Sequence, residues 1–148
     1  MHVSATRPLR ILYVFRAPVG GLFRNVYDVV KAMAERGHHV GILCDSTTGG
    51  ERGNRLLDEL APLMTLGIHR LPMHRNPHPT DITALRKVSA LVAEHKIDVV
   101  HGHGAKGGLY ARLAGVLAPN SGPIRCYTPH GGSLNFAGGF HQPCGVGL

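Results

Sequence analysis

The sequence predicts an α/β fold built on a doubly wound parallel sheet. Three observations carry this reading. Short apolar runs alternate with helical periodicity five times, the first run, Leu9 to Phe15, is continuously apolar but for Arg10, and glycine-bearing turns follow the first, fourth and fifth runs. Continuous apolar runs suit strands buried on both faces, which a parallel sheet covered by helices provides.

Residues 9–15, LRILYVF, read as the first strand. Gly20 and Gly21 break it, and from Leu22 the apolar residues Val26, Val29, Val30 and Met33 line one stripe of a helix while Arg24, Asp28, Lys31 and Glu35 face elsewhere. Gly37 is placed to end that helix as a left-handed cap. Residues 40–44 form the second strand, closed by Asp45, and STTGGERGN at 46–54 reads as a loop. A short helix is expected over 55–64 and a third strand over 68–71, ended by Pro72. MHRNPHPT at 73–80 is an exposed connection, and Thr80 or Asp81 can cap a helix carrying Ile82, Leu85, Val88, Leu91 and Val92 to about Lys96. The fourth strand is expected over 97–101, followed by the turn GHGAKGG, a helix over 109–117 and a fifth strand over 124–128.

A chain of 148 residues has room for one well-buried core, so a single domain is expected. No apolar run approaches the roughly 20 residues needed to span a bilayer, and the opening MHVSATRPLR lacks the apolar core of a signal peptide. The expected location is cytoplasmic. Cys44, Cys126 and Cys144 lie far apart, the first two inside predicted buried strands, and read as inert core thiols. A formal charge of +7 favours an anionic partner. The basic residues are scattered and no nucleic-acid motif is present, so nucleic acid is not expected as a partner, whereas peripheral contact with an anionic membrane face is compatible with this charge.

In a parallel sheet, the turns VGG at 19–21, HGHGAKGG at 101–108 and HGG at 130–132 all lie on one edge. That edge collects Arg16, His101, His103, Lys106 and His130 around backbone that can approach a phosphate or a sugar. His101 and His103 face the same way if the strand runs through both. Two readings stand: a three-histidine metal site completed by His130, or a His101 hydrogen-bonded within the sheet. No nearby carboxylate supports the first. Lys106 reads either as a phosphate partner or as a solvated lysine before a helix. No serine occupies a strand-to-helix elbow, so no Ser/His/Asp triad can be built.

The segments RILYVFRAPVGGLFRNVYDVVKAMAERGHHVGILCDS, IDVVHGHGAKGGLYARLAG and CYTPHGGSLNF together resemble the N-terminal half of family 4 glycosyltransferases of the GT-B architecture, over residues 9 to about 136. The resemblance implies a Rossmann-like, acceptor-side domain, one half of a GT-B enzyme. It implies a retaining transfer of a sugar from a nucleotide-sugar to a polysaccharide or lipid-linked saccharide acceptor, with no metal or other cofactor. By the same resemblance, Gly20 and Gly21 match the glycine loop near the donor diphosphate, with Gly131 in the donor-binding set. His130 matches the histidine that contacts the transferred sugar, and Arg16, His103 and Lys106 fall on the acceptor side.

The family's donor-binding second domain has no counterpart in the sequence, and residues 137–148, AGGFHQPCGVGL from Ala137, follow no pattern. The sequence therefore reads as half an enzyme, expected to fold without turning over alone. The other class of function compatible with these residues is a stand-alone nucleotide- or phosphate-binding module of flavodoxin-like topology.

Overall fold

The computed structural model describes residues 7–114 and 122–130. Five parallel strands form one sheet: β1 (Arg10–Val14), β2 (His39–Asp45), β3 (Gly67–Leu71), β4 (Val99–His103) and β5 (Ile124–Thr128), in the order β3-β2-β1-β4-β5. Helices α1 (Gly20–Glu35), α2 (Gly50–Leu60), α3 (Thr80–His95) and α4 (Gly104–Leu113) connect them. A 3-10 turn, Ala61–Leu63, extends α2. This is the expected doubly wound α/β arrangement.

β1 lies at the centre, paired with β2 on one side and β4 on the other. Its alternate side chains feed two separate cores. Ile11, Tyr13 and Phe15 pack with Phe23, Val26 and Val30 of α1 and Leu57 and Leu60 of α2. Leu12 and Val14 pack on the other face with Ala84, Val88 and Leu91 of α3 and Tyr110 and Ala111 of α4. The apolar run of β1 is thus the signature of burial on both faces, since a strand side chain alternates with period two.

Helix ends follow local chemistry. At the end of α1, the Gly37 N–H donates to the Ala34 carbonyl at 3.0 Å and the His38 N–H to the Met33 carbonyl at 3.2 Å, the double closure of a Schellman motif. α3 departs from the expected cap. Pro79 occupies the cap position without a side-chain hydrogen bond, and Asp81, already inside the helix, accepts the His78 N–H at 3.1 Å.

Three boundaries differ from expectation. α2 begins at Gly50, inside the stretch read as loop. β4 extends to His103 and α4 starts at the next residue, so GHGAKGG is strand end and helix, not a turn. Glycine content misled the reading there, because these glycines serve close packing. A Cβ on Gly107 would lie 2.2 Å from the Val14 carbonyl oxygen, and one on Gly102 would lie 2.1 Å from the Gly107 oxygen. α4 therefore rests backbone against backbone on β1 and β4. β5 is also unlike the buried strand expected: Ile124 is 66% exposed and Cys126 is exposed, because β5 closes the described sheet as its last strand. The end of the helix expected over 109–117 beyond Ala114, and residues 137–148, lie outside the described residues.

The packing of α4 yields a stability prediction. Gly107→Ala pushes the helix off the sheet and is expected to destabilise the fold by about 3 kcal/mol, the upper range for overpacking. Gly21→Ala meets nothing within 4 Å and has ordinary backbone geometry. Its effect is expected to stay within about 0.5 kcal/mol. Denaturant midpoints of the two variants decide the matter.

Candidate functional site

At the carboxyl edge of the sheet, β1 leads towards α1 on one face while β4 leads into α4 on the other. The chain therefore diverges between these two neighbours, which is where open α/β sheets form a ligand crevice. A crevice of about 890 Å³ occupies this place, lined by Arg16, Gly21, Arg75, His103, Lys106 and His130 among others. Each wall is anchored. The Arg16 carbonyl accepts the Asp45 N–H at 2.8 Å, which holds the start of the loop after β1. Gly104 opens α4 at φ +76, a conformation that favours glycine and lets His103 end the strand immediately before the helix.

The structure brings together Arg16, Gly21, His103, Lys106 and His130. Gly20 sits one residue back, lining an adjoining groove of about 580 Å³ with Arg24, Tyr27 and Arg52, and Val19 and Gly21 line both. Gly131 lies outside the described residues.

His103 is 1% exposed. Its ring stacks on His101 at 4.3 Å between centroids and lies 5.9 Å from Tyr13. Its Nδ1 is 3.0 Å from His130 Nε2, and its Nε2 is buried without a hydrogen-bond partner among the described residues. His103 thus lines the back of the crevice, buried and paired with His130. His101 Nε2 is 2.7 Å from Thr128 Oγ1 on the adjacent strand, the within-sheet hydrogen bond of the second sequence reading. Among the described residues, no group of three His, Cys, Asp or Glu side chains is arranged to hold a metal ion.

Lys106 requires a correction. It is neither solvated nor a free cation: at 8% exposure, its Nζ donates to Asp81 Oδ1 at 2.8 Å, to Asp81 Oδ2 at 3.0 Å and to the Asn76 carbonyl at 3.0 Å. The Tyr110 hydroxyl donates to the same carboxylate. Desolvation pushes the Asp81 carboxyl up, but the hydrogen bonds from Lys106, Tyr110 and the His78 N–H outweigh it and hold the group below the usual carboxylate range. Burial first, then Asp81, pushes the Tyr110 phenol up. An ammonium so committed fastens the 72–79 segment and α3 to α4, and its charge is balanced within the fold.

Arg75 is the residue that sequence reasoning passed over. It lay in a segment read only as exposed connection, yet that segment follows β3 and so belongs to the same sheet edge. Asp45 holds the segment in place by accepting the Met73 N–H at 2.8 Å, while Thr47 and Thr48 each donate to its other oxygen at 2.7 Å. Among the described residues, neither the Arg16 nor the Arg75 side chain forms an ion pair, and no carboxylate lines the crevice. Two guanidinium groups therefore give it a positive potential suited to an anion.

An open parallel α/β domain with a crevice at its carboxyl edge, beside a central strand, has the architecture in which such sheets hold their ligands. The chain belongs to the glycosyl transferase 4-like domain family, which matches residues 20–145. Comparison with curated proteins gives no significant match. Among solved structures, the chain is similar to MurG of Acinetobacter baumannii, at 22% identity and TM-score 0.53 over 72% of this chain and 33% of that one. It is similar to a glycosyltransferase of Rickettsia africae, at 22% identity and TM-score 0.56 over 76% of this chain and 28% of that one. The C-terminal domain of a Pyrococcus furiosus hydrogenase shares the fold at 19% identity and TM-score 0.51, over 86% of this chain and 96% of that domain. The chain thus spans about a third of each of the two glycosyltransferase-type structures, and these likenesses speak for the fold alone.

The histidines give a pH prediction. Burial, followed by the imidazoles of His101 and His130, pushes His103 down from 6.5 to about 4. Burial and then His130 push His101 down as well. Unfolded histidines take up a proton near pH 6.5 while the folded ones resist it, so stability is expected to fall as pH drops from 6.5 towards 4. The slope is at most about 1.4 kcal/mol per pH unit for each histidine. Asp45, Asp81 and Asp98, all held below 3.8, add their own loss only at lower pH. Urea midpoints across this window test the first loss, and a flat profile for the wild type would contradict it.

Proposed function

We propose that this chain forms the acceptor-side domain of a metal-independent, retaining glycosyltransferase that moves a sugar from a nucleotide-sugar to a saccharide or lipid-linked acceptor in polysaccharide or glycolipid assembly. The observation that supports it most is the family match together with the place of the crevice, where Arg16, Gly21, Arg75 and His130 surround the junction of β1 and β4. The first turn of α1 has no side-chain cap, so its leading N–H groups, Gly21 among them, are available to the donor diphosphate. His130 meets the transferred sugar close to the reacting carbon. Negative charge growing on the departing diphosphate is met by amides and guanidinium groups, an electrostatic mechanism that acts at the transition state.

On this reading, transition-state contacts come from both sides of a two-domain cleft, so the 148 residues alone bind ligands without turning over. Adding the donor-binding half of a family 4 transferase is expected to restore sugar transfer, and His130→Ala to lower the restored rate by about 10²- to 10³-fold. Multiple turnover by the chain alone would overturn the half-enzyme reading. Arg16 and Arg75, without an ion pair among the described residues, also suit a nucleotide- or phosphate-binding module without catalysis. Tight nucleotide binding with no transfer under any complementation would select that alternative.

A cytoplasmic enzyme acting on a lipid-linked acceptor works at a membrane face. No helix among the described residues is long and apolar enough to cross a bilayer, so contact would be peripheral. With a charge of +7, the chain is expected to co-sediment with vesicles containing anionic lipid and to be released as salt is raised. Equal retention on neutral vesicles would exclude an electrostatic contact.

A further inference from the structure

We propose that His103 acts as a positioning residue that makes His130 a hydrogen-bond donor towards the crevice: the Nδ1–H of His103 donates to Nε2 of His130, leaving the proton of the neutral His130 ring on Nδ1. The inference deepens the reading of His130 as the group that meets the sugar, and rests on it for its functional meaning.

The geometry decides between two arrangements. One proton lies between His103 Nδ1 and His130 Nε2, which are 3.0 Å apart. If His130 supplied it, a neutral His103 would carry its own proton on Nε2, a buried N–H with no acceptor among the described residues. If His103 supplies it, Nε2 is only a lone pair without a donor. Orphaned buried N–H groups are the rarer case in folded proteins, and an unmatched donor in a low-dielectric site carries the full desolvation penalty. The second arrangement is therefore favoured.

The ring is also held in place. His103 is 1% exposed, stacks on His101 at 4.3 Å and faces Tyr13 at 5.9 Å, so it has little room to turn. The titratable groups around it are His101 on its own strand, Tyr13 on β1 and His130 beyond β5, with no carboxylate among those contacts. These surroundings oppose a second proton on His103, in keeping with its titration near 4. Burial, with Cys126 as a smaller cause, pushes the Tyr13 phenol up to about 12, which keeps it neutral.

The consequence is a directional site. A neutral His130 offers the crevice an Nδ1–H, matched to a sugar hydroxyl oxygen or to a phosphate oxygen gaining charge. It does not offer a lone pair, so it does not serve as the base for an acceptor hydroxyl. Its contribution is electrostatic and positional, with no proton transferred.

Long-range proton–nitrogen correlation spectra of the chain labelled with ¹⁵N-histidine test this directly. The expected result near neutral pH is Nδ1–H character for both His103 and His130, with pyridine-type Nε2 in each. An Nε2–H signal for either ring in the wild type overturns the proposal. In His103→Phe, the donor is lost and His130 is expected to revert to the Nε2–H form usual for a free imidazole. In His103→Asn, an amide N–H replaces the donor and the Nδ1–H form is expected to return. Persistence of Nδ1–H on His130 in a folded His103→Phe variant would also overturn it. The wild-type spectrum decides even if both variants fail to fold. Because the spectra need no turnover, failed complementation with a donor-binding half would count against the enzymatic reading while leaving the histidine pair intact.

Discussion

The parallel pairing of β1 with β4 is the constraint on which the rest of the molecule depends. It sets Tyr13 opposite His101 and Val14 opposite Gly102. It also splits the apolar residues of β1 between two cores and turns the two following segments to opposite faces. A crevice at their divergence is then a matter of topology, and the particular side chains only decide what it can hold. The same pairing puts His101, His103 and Tyr13 on one face, where stacking holds the imidazoles in place.

The electrostatics of the crevice separate cations that build the fold from cations that line the crevice without an ion pair among the described residues. Lys106, buried against Asp81 and Tyr110, belongs to the first group, and its pairing ties three segments together. Arg16 and Arg75 belong to the second. A count of basic residues along the chain does not make this distinction, because it depends on which carboxylate a distant segment brings near. Asp81 lies 25 residues from Lys106 and on a different helix.

Much of the fold was legible because parallel strands and amphipathic helices leave periodic marks. The apolar run of β1, the stripe from Leu22 to Met33 and the cap at Gly37 are local features with local causes. What escaped depended on distance. The glycines of 102–108 suggested a turn, whereas Gly102 and Gly107 serve the contact of α4 with the sheet, which no local pattern announces. Arg16, His103 and His130 could be placed on one edge by topology alone. That His103 is buried and paired with His130, and that Arg75 joins them, depends on packing between segments far apart in sequence.

β5 carries a consequence of its own. Its burial pattern is exposed along nearly its whole length, and Ile124 and Tyr127 present large apolar surface to solvent. Among the described residues no element covers the outer edge of this last strand, and natural sheets usually discourage edge-to-edge association with charge, proline or a covering element. Arg125 is the one charged residue in it. Any strand pairing through β5 would form at the side of the sheet next to the crevice, so an added strand there and access to the crevice share a boundary.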